Sequence, residues 1–359
     1  MKLRIFSILM LLITVGYRVK AQSCTETLNT ARQNFEEGHL YIIEGLLEPC
    51  LKKGFNRDQK IEAYYLLTRT YLFIDEPEKA EESYLNLLKL DPEYKPDPET
   101  APIDLVYLSE KFTTTPIFTL HGGIGPNVST IHVLGNYGVD NTAESRESYK
   151  EGVGVQIRLG ADLNINSHFS LGIEPTFVTR SYSYKNILFM VDEQNYTENQ
   201  ALLQLPVVLK YRIEKNKWRP FVYAGFGAEF LINARAQITY YDKNQDSQTE
   251  FPVTGPELNI SKIRKRLNSY VLFGVGTNYR IGYNYIYIDA RYSGQLRNMV
   301  HTDNQYNIAD FDYTYGYIDD DKRLSNYAIT VGYVWPLYKP RKLRKYTKEG
   351  FFSQIFRNE

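Results

Sequence analysis

The sequence predicts an all-β transmembrane barrel of eight antiparallel strands, connected up and down, behind a small N-terminal all-α domain. Three observations predict it. Val153, Val155, Ile157, Leu159, Ala161 and Leu163 fall on every second position while Gly154, Gln156, Arg158, Gly160 and Asp162 fill the gaps, so a strand here is apolar on one face and polar on the other. A run of about 11 such residues is long enough to cross a bilayer as a tilted strand. Between Ile117 and Tyr338 the connections alternate strictly between tight and long. Ahead of that region, from Cys24 to about Asp91, the apolar spacing is helical.

Taken in order, Lys2 and Arg4 precede an apolar run from Ile5 to about Val15, and Val19 and Ala21 supply apolar and small residues for cleavage. This predicts a secretory signal peptide over residues 1–21, too short in its apolar part to span as a helix. The mature chain therefore leaves the cytoplasm. Lysine and arginine, 42 together, balance 42 acidic residues, and that balance argues against a nucleic-acid partner. The 31 tyrosines suit the aromatic girdles of an extracytoplasmic β protein.

Residues 22–91 form the helical domain. Leu28, Ala31, Phe35, Leu40, Ile43, Leu47 and Leu51 recur at spacings of three to five, with Gly38 as the break. Cys24 opens the first helix and Cys50 closes the second, so an antiparallel hairpin about Gly38 brings them together, and an oxidising compartment predicts a disulfide. Lipidation of Cys24 is the weaker alternative, because Ala21-Gln22-Ser23 lacks the Leu of a lipobox. Tyr64, Leu67, Tyr71, Ala80, Tyr84 and Pro92 follow at the spacings of a tetratricopeptide repeat, which the segment resembles over one unit. Thr68 and Leu87 stand where that family usually has small residues. The resemblance implies either peptide binding or simply the core of a helical hairpin.

Residues 92–115 are a stiff linker carrying Pro92, Pro96, Pro98 and Pro102, with room for a short helix from Ile103 to Phe112. Residues 116–338 hold the eight strands, at about 117–125, 151–164, 168–182, 200–213, 219–240, 269–281, 284–297 and 324–337. The gaps at 164–168, 214–218 and 281–284 are tight; those at 126–150, 183–199, 241–268 and 298–323 are long and polar. Tight turns at one end and long loops at the other suit an outer-membrane barrel, and an even strand number leaves both termini on the periplasmic, tight-turn side.

Leu203-Gln204-Leu205-Pro206-Val207-Val208-Leu209-Lys210-Tyr211-Arg212, Arg219-Pro220-Phe221-Val222-Tyr223-Ala224-Gly225 and Ile288-Asp289-Ala290-Arg291-Tyr292-Ser293-Gly294 resemble the strand motifs of the PorT-type outer-membrane β-barrel family of Bacteroidota. The resemblance implies location and fold more firmly than activity.

With Val155, Leu203, Leu205, Val207, Ile286 and Ile288 facing lipid, the interior receives Arg158, Glu174, Lys210, Arg212, Glu229, Asp289 and Arg291. An eight-stranded barrel is only wide enough for its side chains to fill, so paired charges plug it. A conducting pore is the alternative.

Gly152-x-Gly154, Gly225-x-Gly227 and Gly274-x-Gly276 lie inside strands, where small residues pack a narrow lumen and no nucleotide is implied. His39, His121, His132, His168 and His301 are scattered without metal-ligand spacing, and no catalytic, cofactor or metal site is expected. His168-Phe169-Ser170 is similar to the His-x-Ser pair of a lipid A deacylase barrel, but it lies at a tight turn, far from the outer leaflet.

Lys262, Arg264, Lys265 and Arg266 in the third long loop are candidates to meet lipopolysaccharide phosphates, while Asp310, Asp312, Asp319, Asp320 and Asp321 crowd the fourth; the default reading of both is a solvated charged loop. Residues 339–359 form a periplasmic tail, with Lys339, Arg341, Lys342, Arg344, Lys345 and Lys348 followed by Phe351, Phe352, Ile355 and Phe356. It suits an anionic lipid surface or an acidic partner.

The expectation is a non-enzymatic outer-membrane anchor and adaptor. Its expected partners are outer-membrane lipid and lipopolysaccharide, and a periplasmic or outer-membrane protein held by the helical domain, as part of an export or assembly machine. A narrow channel for small solutes is the alternative, and an outer-leaflet lipid enzyme the third.

Overall fold

The computed structural model describes residues 24–135, 137, 148–188, 192–213, 217–242, 252–301 and 317–343. The signal-peptide residues, Asp310, Asp312, Arg344, Lys345 and Lys348 lie outside the described residues. The chain divides into two units, Met1–Pro116 with Tyr338–Glu359, and Ile117–Leu337.

In the first unit α1 (24–36), α2 (Ile43–Lys52), α3 (Arg57–Phe73), α4 (Pro77–Leu90) and α5 (Ile103–Glu110) begin and end where local chemistry dictates. Gly38 takes a positive φ of 83° after α1, a conformation that costs glycine least. Asn56 caps α3 through a reciprocal box with Gln59, each side chain accepting the other's backbone N–H, at 2.9 and 3.0 Å. Pro77 opens α4, where a missing N–H costs nothing. Leu67, Tyr71, Ala80, Tyr84 and Pro92 are buried and Tyr64 is half-buried. Thr68 and Leu87 are fully enclosed too, and Thr68 satisfies its hydroxyl on the Tyr64 carbonyl at 2.7 Å. Cys24 and Cys50 form a disulfide with Cα atoms 5.7 Å apart. Closing a loop of this length stabilises the fold by roughly 3 kcal/mol on chain-entropy grounds.

The described part of the tail belongs to this unit. β1 (Phe112–Thr113) pairs antiparallel with β13 (Arg341–Lys342), the Leu343 N–H donates to the Lys111 carbonyl at 2.7 Å, and the Tyr338 hydroxyl donates to Glu93 at 2.7 Å. Lys342 and Lys111 both reach Glu81, so Lys342 is engaged within the protein, whereas Lys339 and Arg341 remain exposed. The Lys342 hydrogen bond holds the Glu81 carboxyl below the ordinary carboxylate range, with Lys111 adding to the effect. A carboxylate with a depressed folded-state pKa contributes stability that is complete above its unfolded value and is lost as the pH falls through the folded one. We expect hydrogen exchange at residues 338–343 to quicken as the pH drops below about 4, after correction for intrinsic rates, and Glu81→Gln to abolish that dependence.

The second unit is antiparallel sheet. Its long strands are β2 (Phe118–Gly135), β3 (Ser148–Asn164), the consecutive pair β4 (Phe169–Ile173) and β5 (Thr176–Leu188), β6 (Asp192–Arg212), β7 (Trp218–Asp242), β10 (Leu267–Ile281), β11 (Asn284–Gln295) and β12 (Asp321–Leu337). The short β8 (Pro252–Thr254) and β9 (Leu258–Asn259) lean on β7. The pairings run from β2 through β3, β4 with β5, β6, β7, β10, β11 and β12 and return to β2, a circuit in which each long strand is hydrogen-bonded on both sides. Phe118 partners Leu337, so the circuit begins and ends at the same rim.

Four features differ from the sequence expectation. Residues 126–135, expected in the first long loop, continue β2 and pair with β12, Asn127 facing Ala328 and Val133 facing Lys322. Residues 183–199, expected as a long loop, are mostly paired strand: Ser183 faces Thr197 and Leu188 faces Asp192. Both faces are polar there, so apolar alternation does not report the strand. The expected strand 168–182 breaks at Glu174-Pro175, where proline has no N–H for the ladder. On β7, Leu202 pairs with Leu231 but Ala201 with Asn233, so Ile232 is a bulge residue that exchanges inward and outward parity above it.

The two faces are the reverse of a water-soluble sheet. On β6, Leu203, Leu205, Val207 and Leu209 are 36–51% exposed, while the alternate Gln204, Val208 and Lys210 are buried. Trp218, Tyr279 and Trp335 sit exposed near the tight turns, with Trp218 against Tyr279 at 4.8 Å and Tyr333 against Trp335 at 4.6 Å. The outward apolar run from Tyr327 to Leu337, tilted as barrel strands are, rises roughly 25 Å, the height of a bilayer's apolar band.

Candidate functional site

Inward positions carry three charged layers. Nearest the tight turns, Glu174 receives the Arg291 guanidinium and lies 3.4 Å from Lys210 Nζ and 4.0 Å from Arg158 Nε. Lys210 also donates to Asp162 at 2.8 Å, and Arg158 donates to Asp289 at 2.9 Å and to the Thr330 hydroxyl at 3.0 Å. The Tyr223 hydroxyl donates to Asp289 and accepts from Arg291 Nε at 3.0 Å. Arg212, at the turn-side end, bonds Asn164. Gly160 and Gly274 leave room for this layer: a Cβ would lie 2.2 Å from the His121 ring at Gly160 and 2.2 Å from Tyr223 at Gly274.

In the middle layer Arg180 pairs with Glu229 at 3.2 Å, and Gln204 and Gln295 donate to the same carboxylate. Glu229 faces inward because the bulge lies beyond it at Ile232. Thus Arg158, Glu174, Lys210, Asp289 and Arg291 converge, Arg212 flanks them, and Glu229 belongs to a separate set.

The layer nearest the long loops escaped sequence reasoning. Arg264, expected on a solvated loop, is 2% exposed and donates to Glu198 at 2.9 Å and to Asp319. Tyr196 donates to Glu198 at 2.6 Å and stacks on Tyr317 at 4.4 Å, while Lys322 binds Asp319. Asp320, likewise buried, accepts from Tyr149 at 2.6 Å. Ile260, Ile263, Met299 and Val300 are buried beside this layer, and Lys265 N–H to Met299 O and His301 N–H to Ile263 O tie the two segments together, at 2.9 and 2.8 Å. Tyrosine at inward positions of β5 and β6 was the available signal, since a buried phenol needs a polar partner.

His121 departs from the expectation of scattered histidines. Its Nε2 lies 3.5 Å from both Asp162 and Glu174, and the three offer ligand atoms within 4.8 Å of one another. Among the described residues His121 Nε2 and Asp162 Oδ1 have no hydrogen-bond partner. Yet Lys210 and Arg291 already neutralise both carboxylates, so a divalent cation would meet fixed positive charge. The adjoining cavity of about 20 Å³ has room for about one water molecule. A second cavity, of about 10 Å³, lies beside Glu229 and Arg264. The His168 ring nitrogen Nδ1 meets Ser167 at 2.9 Å, while Ser170 is enclosed, so the His-x-Ser pair is not assembled.

Residues 118–301, just over half of the chain, match the family model described as outer membrane protein beta-barrel domain. Among solved structures, Neisserial surface protein A is 12% identical with TM-score 0.31, covering 61% of this chain and 97% of that one. OmpT, the outer membrane protease of Escherichia coli, is 10% identical with TM-score 0.31, covering 65% and 98%. OprG of Pseudomonas aeruginosa is 10% identical with TM-score 0.29, covering 64% and 98%. No curated protein matches the sequence.

Proposed function

The chain belongs to the outer membrane protein beta-barrel domain family, and on that premise we propose that it is a non-enzymatic anchor in the outer membrane whose helical unit holds a protein partner in the periplasm. The observation that carries the reading is the division of labour between the units. The strand circuit is filled by paired charges, with described cavities of about 20 and 10 Å³, too small for a hydrated ion, which disfavours the channel alternative. The helical unit has its own core and disulfide and a covering β pair, and it presents Tyr41, Ile42 and Phe73, each more than half exposed. Large apolar side chains left in water beside a closed core suit a docking surface. The tetratricopeptide-like spacing of Tyr64 to Pro92 and the resemblance to PorT-type proteins favour an accessory subunit of an export or assembly machine as the setting.

The test is a mild-detergent purification from outer membranes, with mass spectrometry of what accompanies the full chain, a Tyr41→Ser/Phe73→Ser variant and a chain lacking residues 24–111. The proposal expects partners that are lost in both altered forms while the barrel stays membrane-inserted. Identical partner sets in all three would contradict it.

A further inference from the structure

The outward face of β10, β11, β12 and β2 is not a uniform apolar wall. Phe273, Tyr292, Tyr327 and Val128 lie in one cross-strand row, with Phe273 stacked on Tyr292 at 5.6 Å and Tyr292 against Tyr327 at 5.1 Å. In the next row toward the tight turns, Ala290 sits between Val275 and Ile329. A methyl group under a shelf of aromatic rings leaves a groove of about 580 Å³, lined almost wholly by carbon. On the loop side of the shelf the row is Thr130, Ser325, Gly294 and Val271, small and partly hydroxylated, and the Ser325 hydroxyl lies 3.1 Å from that of Tyr292. One row further, Arg323 and His132 are cross-strand partners, with Arg297 and Arg266 exposed at the ends of the neighbouring strands. Asp321, an acidic group two residues before Arg323 on β12, accepts from Asn298 at 2.7 Å.

We propose that this face binds one phosphorylated, multiply acylated glycolipid of the outer leaflet, an acyl chain lying in the groove over Ala290 and a phosphate reaching Arg323 and Arg297. Two features of these four strands and their loop-side ends point to the same occupant. The groove lies at the upper edge of the apolar band, where a chain leaves the headgroup region, and the basic set stands about 13 Å of strand above the shelf, at headgroup level. Guanidinium groups recognise phosphate through paired N–H donors, so the headgroup sought is a phosphate ester and not a neutral sugar. The proposal rests on the reading that the long loops face outward.

The test uses the full chain purified in a mild detergent and incubated with diphosphoryl hexa-acyl lipid A, its dephosphorylated form, or phosphatidylglycerol, with native mass spectrometry counting retained lipid. One diphosphoryl lipid A per chain is expected, held about tenfold better than phosphatidylglycerol. Ala290→Phe, which fills the groove from the lipid side, should cut retention of both lipid A forms about tenfold. Arg323→Ser/Arg297→Ser should cut only the diphosphoryl form. Circular dichroism and heat-dependent gel mobility verify that each variant is folded. Equal retention of phosphatidylglycerol, or unchanged retention in both variants, would overturn the proposal, as would a species of two chains dispersed by Ala290→Phe, which would make a second copy the occupant. Protease cleavage of a site placed in residues 302–316 on intact cells tests the orientation separately, so a failure there is distinguishable from a failure of binding.

Discussion

Replacing Glu174 with Gln is expected to destabilise the barrel by about 3 to 5 kcal/mol, although the side chain keeps its shape. Glu174 is 1% exposed; it accepts from Arg291 and Lys210 and pairs electrostatically with Arg158 at 4.0 Å. Neutralising it leaves those three cations with only Asp162 and Asp289 in a space that admits about one water molecule. The cost is an uncompensated buried charge, not a lost contact, so an isosteric change exposes it. Urea unfolding in lipid vesicles, followed by heat-dependent gel mobility, measures it. Arg235→Gln is the control: its pair with Glu257 at 3.3 Å is about half exposed, and the expected change is within about 0.5 kcal/mol. Equal midpoints for the two variants would show that the interior is hydrated and the ion pairs incidental.

The second large effect is expected from Arg264→Met, which removes the cation holding Glu198 and Asp319 while retaining a long apolar stem. The loss is about 3 to 5 kcal/mol, but it should be local. Residues 258–264 and 298–301 are held by this arginine, by the buried side chains of Ile260, Ile263, Met299 and Val300, and by backbone bonds at their own level. Hydrogen exchange should therefore quicken there by roughly two to three powers of ten, while β3 and β11 near Arg158 and Asp289 exchange at the wild-type rate. A planar bilayer should stay silent, because the turn-side layer still fills the lumen. Conductance in Arg264→Met would mean that the loop layer alone closes the barrel and would revive the channel reading.

How far the sequence carried depends on how local each signal is. The alternation around Val155 and Leu205 identifies strands with one apolar and one polar face because one strand's face is legible from one strand's residues. The Cys24–Cys50 pair is legible because two helices about Gly38 constrain both ends. The charged interior is legible as a set, since parity alone sends Arg158, Glu174 and Asp289 inward. Which acid meets which base is not: Glu174 and Arg291 lie 117 residues apart and meet through the curvature of the circuit. Arg264 was misplaced because a loop arginine reads as solvated until Glu198, Asp319 and two tyrosines are brought around it. Asp162 stood on the polar face of the strand but gave no sign that His121 and Lys210 would close on it.

On this reading the strand unit is embedded in the membrane with its apolar outward face in lipid. The most direct test is single cysteines at Leu203, Leu205, Val207 and Leu209 on β6, and at Thr197 and Asn199 further along the same face, exposed to a membrane-impermeant maleimide on intact cells. The native cysteines do not compete, being joined in the disulfide. Rapid labelling is expected at 197 and 199 and protection at 203 through 209; comparable labelling at Leu205 or Val207 would contradict a lipid-embedded face.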